Sequence, residues 1–353
     1  MATPKGFPIL FIASSRIGDA VLASGIIKRL HDEIPNARFT VVAGPVSAPL
    51  FADVPNLDKL VVMEKTKGKG HWFKLWTQVR GRNWGLIVDR RGSSISRFLR
   101  AKRRAIHRTV AGEPVHKVIE AARLLKVADD PPGPYLFTSA ATEAKADAIL
   151  GKGEGPILAM APAANWIGKT WPAERFALLA VQLMQKGEPF EKGRLLILGG
   201  PDDRRAAESL RRSLPRDRWI DLTGQADLLT TYACLKRARL FVGNDSGLMH
   251  MAAAAGAPPL GLFGPSDEKL YGPWGDYTAV ARGPRSFSQI KVKDPELNQP
   301  VCHMLDLKLE QVLAQAKALH DRSQPLFGPV KKSAKPKSKK AAVEPPPPES
   351  DPA

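Results

Sequence analysis

Two short loops hold the residues whose types and spacing suit chemistry. The first, Ser14-Ser15-Arg16-Ile17-Gly18-Asp19, follows the apolar run from Pro8 to Ala13. The second, Asn244-Asp245-Ser246-Gly247, follows Leu240 to Gly243 and precedes a helical stretch that carries His250. Asn, Asp and Ser cap helices, and Gly lets backbone N–H groups approach a ligand closely. A helix N-terminus attracts an anion, so the second loop suits a phosphate. Helix capping alone explains either loop taken singly; the recurrence of the pattern at both ends of the chain favours a ligand. Asp19, a carboxylate at the start of a helix, is of the right type for a general base. Lys169, in Asn165-Trp166-Ile167-Gly168-Lys169-Thr170-Trp171-Pro172, is of the right type to meet developing negative charge, or is simply a surface lysine.

The elements that must position these residues alternate. Strands are expected at Pro8–Ala13, Arg38–Val42, Leu60–Met63 and Leu86–Asp89, with helices at Asp19–His31, His71–Arg80, Ser93–Arg100 and Val115–Lys126. The segment Asp129–Pro134, followed by a polar helix at Thr142–Leu150, breaks the rhythm, and the interdomain linker is expected near Gly151–Gly155. Alternation resumes with strands at Ile157–Met160, Leu195–Leu198, Trp219–Leu222, Leu240–Gly243 and Leu260–Phe263. Between them stand helices at Ala173–Gln185, Asp203–Ser213, Leu228–Arg237 and Leu248–Ala255, and a last amphipathic helix spans Leu305–His320. The pattern is that of βαβ units, an α/β chain with parallel sheets. It predicts domains over residues 1–150 and 156–325, with a disordered basic and Pro-rich tail over 331–353. Open α/β sheets bind ligands at the carboxyl ends of their strands, which places a ligand in the cleft between the two halves.

At 353 residues the chain is too long for one small domain. Its formal net charge is +18; the tail from Lys331 contributes a net +3, so about +15 stays with the folded body. That balance favours anionic partners: phosphorylated lipid, a membrane surface or nucleic acid. Cys234 and Cys302 lack metal-ligand spacing, which predicts a reduced intracellular protein and no metal site. The N-terminal apolar run is broken by Pro8 and ended by Arg16, so it reads as a strand rather than a signal peptide. No apolar stretch reaches the roughly 18 residues of a spanning helix, so membrane contact is expected to be peripheral.

Three blocks carry a resemblance. Ile9–Leu30 (ILFIASSRIGDAVLASGIIKRL), Pro162–Ala180 (PAANWIGKTWPAERFALLA) and Phe241–Asp267 (FVGNDSGLMHMAAAAGAPPLGLFGPSD) resemble glycosyltransferase family 9, the bacterial ADP-heptose:lipopolysaccharide heptosyltransferases. The resemblance implies a GT-B architecture, two Rossmann-like domains with parallel sheets facing a central cleft, acceptor on the N-terminal side and nucleotide sugar on the C-terminal side. It implies an inverting transfer that needs no metal and no cofactor. Asp19 matches the family's Gly-Asp base, and Lys169 matches its leaving-group lysine. Asp245, Ser246, Gly247 and His250 match its Asp-Ser/Thr-Gly-Leu-x-His motif, which holds donor phosphates. Asp203, or its neighbour Asp202, falls where members often hold a ribose-binding acid, although capping explains it almost as well. Ser15 and Gly18 would shape the acceptor loop, with Arg91 and Ser93 on a family segment of the acceptor side. The chain departs from some members in having Ala163, Ala164 and Asn165 upstream of Lys169 instead of paired hydroxyls.

The implied partners are ADP-heptose, as the family default, and a phosphorylated glycolipid acceptor, at a cytoplasmic location that includes the inner face of the inner membrane. The bases Arg97, Arg100, Lys102, Arg103, Arg104 and Arg108 fit such an acceptor, because the guanidinium fork matches phosphate oxygens; a solvated charged face is the plainer alternative. Trp72, Phe73 and Trp76, beside Lys65, Lys67 and Lys69, could touch a membrane interface or simply pack in the core. Two other classes compete. An NAD-dependent enzyme is disfavoured because no G-x-G-x-x-G follows the first strand. A nucleic-acid-binding protein is permitted by charge, but no binding module is visible and aromatics are sparse.

Overall fold

The computed structural model describes residues 6–64, 70–108, 112–153 and 155–327. The basic tail and Lys65, Lys67 and Lys69 lie outside the described residues.

In the N-terminal half, β1 (Phe7–Ile12) buries Ile9, Leu10, Phe11 and Ile12 completely, as a strand covered on both faces must. The chain turns into α1 (Ile17–Leu22) and α2 (Gly25–Glu33), then β2 (Ala37–Ala43), β3 (Leu57–Val62), α3 (Gly70–Val79), β4 (Trp84–Asp89), α4 (Ile95–Phe98), β5 (Ala101–Ile106) and α5 (Lys117–Ala122). All strands pair in parallel in the order β3-β2-β1-β4-β5. The single helix expected from Asp19 to His31 is in fact two, broken where Ser24 Oγ donates 2.7 Å to the Val21 carbonyl, a side-chain bond that competes with the helix ladder. The expected Ser93–Arg100 helix shortens to α4 because the chain after it becomes β5. That basic strand was hidden by its charge: Lys102, Arg103 and Arg104 are exposed on an edge, where charged side chains are tolerated and keep the edge unpaired.

After α6 (Ala140–Leu150) the C-terminal half runs β6 (Ile157–Ala161), α7 (Ala173–Met184), β7 (Arg194–Ile197), α8 (Arg204–Ser213), β8 (Trp219–Asp221), α9 (Leu228–Leu235), β9 (Ala238–Asn244), α10 (Gly247–Ala254), β10 (Pro259–Phe263), α11 (Glu268–Tyr271), β11 (Ala279–Arg282), α12 (Phe287–Lys293) and α13 (Leu309–Ser323). Its six parallel strands are ordered β11-β10-β9-β6-β7-β8. α6 packs on α9, where Glu143 pairs with Lys236 and Arg237, and Asp147 pairs with Arg237 at 2.6 Å. α13 returns onto α7.

Each sheet reverses its strand order beside its first strand, at β1/β4 and at β6/β9. Such switch points open a crevice at the carboxyl edge. One apolar core, holding Phe11 and Val21 as well as Tyr232 and Met249, runs continuously through both halves.

Candidate active site

The two switch points face one another because α1 and α10 pack start to start through two glycines. A Cβ on Gly247 would stand 2.6 Å from Ile17 Cγ2, and one on Gly18 would stand 3.1 Å from His250 Cδ2. At Gly247 the approach needs a residue without a side chain, and at Gly18 a side chain would have to displace the His250 ring by a few tenths of an ångström. The result is a cavity of about 780 Å³ lined from the N-terminal half by Gly18 and Asp19, and from the C-terminal half by Lys169, Asp245, Ser246, Gly247 and His250.

Asp19 lies in the first turn of α1, half-buried. Its carboxylate makes no hydrogen bond or ion pair among the described residues, so it does not serve as a helix cap. The loop after β6 forms a short 3₁₀ turn, Ile167–Lys169, and is tied to β9 by Asn244. That fully buried amide accepts from Trp171 N at 3.0 Å and donates to the Pro162 carbonyl at 2.9 Å, satisfying two loop groups at once. Lys169, held this way, reaches Asp245 Oδ2 at 2.6 Å; the aspartate side chain is 8% exposed. An ammonium has three donors, so Lys169 has N–H groups left for a ligand.

Ser246 is the N-cap residue of α10, yet its side chain makes no capping bond. Its Oγ, the Ser266 Oγ and the His250 Nδ1 are all buried with no partner among the described residues. Buried polar atoms are almost always paired, and unpaired ones cost roughly 1–3 kcal/mol each. The residues that carry these three atoms all line one cavity, which suits a polar guest. Burial pushes His250 down to about 4, so at neutral pH it offers one N–H and no charge. Tyr271, across from Asp19, has its hydroxyl pushed up by burial and then by the Asp19 charge.

Comparison with known proteins decides the family. The model of glycosyltransferase family 9 (heptosyltransferase) matches residues 77–301. The chain belongs to glycosyltransferase family 9. It is 27% identical, over 78% of its length and 88% of the relative's, to lipooligosaccharide heptosyltransferase 2 of Haemophilus influenzae. In fold, this glycosyltransferase is similar to a family 9 glycosyl transferase from Veillonella parvula, with a TM-score of 0.74 at 19% identity, covering 91% of this chain and 100% of that one. It is likewise similar to the E. coli ADP-heptose LPS heptosyltransferase II, with a TM-score of 0.69 at 22% identity, covering 90% and 99%. The architecture is GT-B, two parallel α/β sheets facing a cleft.

Other residues singled out from the sequence lie outside this cavity of the transferase. Asp203 accepts from Gly200 N at 2.7 Å and lines a neighbouring cavity of about 480 Å³, shared with Ala163, Ala164 and Thr170 of the Lys169 loop. Ser15 packs against Gly44. Arg91 stacks on Trp72 at 5.0 Å, and its backbone N–H donates to Asp89. Ser93 donates to the buried Asp89 carboxylate through both N–H and Oγ. The Asp89–Ser93 loop is thus folded around its own aspartate. Of the basic run, Arg97, Arg104 and Arg108 line a separate cavity of about 920 Å³ with Lys117, Arg123 and Lys126. Ser266 was missed from sequence, although it stands in Gly264-Pro265-Ser266-Asp267, at the carboxyl end of a strand beside the switch point. Phe287 and Lys291, on α12, carried no sequence signal for their place in the cavity.

Proposed function

We propose that this enzyme transfers heptose from ADP-heptose to the core of a lipopolysaccharide or a related phosphorylated glycolipid, by direct displacement with inversion. The donor and acceptor class rest on the heptosyltransferase relatives; the chemistry rests on the cleft. Asp19 removes the proton from the acceptor hydroxyl as its oxygen attacks the anomeric carbon. The bond from that carbon to the diphosphate breaks on the opposite side, and the leaving nucleoside diphosphate takes the electron pair. Lys169, the amides at the start of α10 and the Ser246 and Ser266 hydroxyls receive its growing charge. With those groups at the leaving diphosphate the chain supplies its own charge compensation, and no metal enters the mechanism.

The observation that carries this reading is the shared cavity. An unpaired carboxylate from one half meets a lysine and three unpartnered polar atoms from the other. The basic cavity around Arg104 and Arg123 supports an acceptor that carries phosphate. Among the described residues no helix is long and apolar enough to cross a membrane. A lipid-anchored acceptor presents its sugars at a bilayer surface, and we assign that meeting to the cytoplasmic face of the inner membrane.

The test is product analysis by mass spectrometry with ADP- and UDP-sugars on a delipidated core acceptor. ADP-heptose with wild-type enzyme should give a heptosylated product of inverted anomeric configuration. Asp19→Asn should lower turnover by at least about 10³-fold while ADP still raises the unfolding temperature, within the range lost with an essential base. Retained turnover in that variant, or a product of retained configuration, overturns the mechanism.

A further inference from the structure

The face of the N-terminal sheet away from α1 and α2 is covered by α3 and α4. Their inner sides share one core through Leu75, Val79, Ile95 and Leu99. Their outer sides break the usual polar pattern: Phe73 is 68% exposed and Phe98 is 77% exposed. Phe73 stacks on the half-buried Trp76 with ring centroids 6.0 Å apart, and Arg80 lies 4.5 Å over the Trp76 ring. Lys74, Arg97, Arg100 and Lys102 are also exposed on these two helices and the adjoining edge strand. Trp72, at the start of α3, packs beneath Arg91 at the carboxyl edge of β4, the same sheet edge from which α1 carries Asp19. The apolar ridge therefore begins beside the N-terminal rim of the cleft.

The chemistry of the ridge selects its occupant. Centres of protein–protein interfaces are depleted in lysine, whereas membrane-surface sites combine aromatics with Lys and Arg. Aromatic rings enter the acyl boundary while flanking bases reach the anionic headgroups. We propose that Phe73, Trp76 and Phe98, with the bases around them, form a docking surface for an anionic phospholipid bilayer. This deepens the glycolipid reading above and rests on it for its purpose, since a lipid-anchored acceptor lies in the same bilayer; the binding itself is measured without any sugar transfer.

The full chain is sedimented with vesicles of phosphatidylethanolamine containing phosphatidylglycerol, and with vesicles of phosphatidylcholine alone. Wild type should bind the first and not the second, and high salt should release it. Phe73→Ser/Phe98→Ser should weaken binding by about tenfold or more at an unchanged unfolding temperature. Lys74→Glu/Arg100→Glu, which leaves Phe73, Trp76, Phe98 and the Arg80–Trp76 contact in place, should also lose about tenfold and carries the test if the first variant unfolds. Wild-type binding that survives unchanged in both variants, or no vesicle binding at all, overturns the proposal. A wild type that is dimeric by light scattering, turned monomeric by Phe73→Ser/Phe98→Ser without ever binding vesicles, overturns it in favour of self-association. Absence of vesicle binding would leave the transferase reading intact, and absence of sugar transfer would leave the vesicle result intact.

Discussion

Replacing Lys169 by Met separates the structural from the chemical work of that side chain. Its ammonium is 2.6 Å from a carboxylate whose side chain is 8% exposed, while the lysine itself is 27% exposed. Breaking a fully buried pair costs about 3–5 kcal/mol, mostly by stranding the remaining charge. Here water reaches the lysine side, so about 1–3 kcal/mol is expected for Lys169→Met. Adding Asp245→Asn removes the stranded charge at constant shape, and the double variant should recover most of that stability, because the two sites are coupled. Turnover should behave differently. Loss of one preorganised group at a developing charge costs about 10²–10³-fold, and nothing in the double variant restores it. Urea unfolding followed by tryptophan fluorescence gives the first quantity, and release of nucleoside diphosphate gives the second. If the double variant regained both stability and turnover, Lys169 would serve only to neutralise Asp245, and its role at the leaving group would be lost.

Two further substitutions test the contact between the halves. Gly247→Ala would place a methyl 2.6 Å from Ile17 Cγ2 and 3.4 Å from the Gly18 backbone nitrogen. Overpacking of that kind costs about 1–3 kcal/mol, so the unfolding temperature and donor affinity should both fall; an unchanged unfolding temperature would count against close packing of α1 on α10. Glu143, which ties α6 to α9, would be raised by burial, but hydrogen bonds from Lys236, Thr138 and Arg237 outweigh this and hold it at about 2, below its ordinary 4.5. A carboxylate depressed in the folded state contributes stability that is complete above about pH 4.5 and is lost as pH falls through about 2. Glu143→Gln should therefore be less stable than wild type at neutral pH by roughly 1 kcal/mol, the pair being partly exposed, with the gap closing on acidification. A gap that stays constant from pH 6 to about pH 2 would remove the ion pair as its cause.

Much of the fold was legible because parallel strands covered on both faces leave continuous apolar runs, and β1, β6, β9 and β10 are of this kind. β5 was not, since an edge strand that buries little can carry Lys102, Arg103 and Arg104 and read as a charge run. Among the site candidates, Gly18, Asp19, Lys169, Asp245, Ser246, Gly247 and His250 stood in loops directly after apolar runs or on the helices that follow, and the structure gathers them in one cavity. Arg91 and Ser93 stood in the same kind of loop but do not line that cavity, and the completely buried Asp89 draws their backbone N–H groups and the Ser93 hydroxyl onto itself. A sequence shows that a carboxylate follows a strand; it does not show whether local donors will consume it. Asp19 and Asp89 are the two outcomes.

That difference follows from what each carboxylate meets. α1 and α10 approach with their amino ends together, like ends that repel, so negative groups near both starts are favoured. Asp19 enters the first turn of α1, and Asp245 precedes α10. Lys169 then offsets Asp245 and leaves the Asp19 carboxylate unpaired. In the proposed reaction a diphosphate arriving at the start of α10 would bring its own negative charge to that helix end and compete with Asp245 for the Lys169 ammonium. The same contact that joins the two halves thus leaves an unpaired carboxylate on one side of the cavity and an ammonium with free N–H groups on the other, the placement the proposed displacement needs.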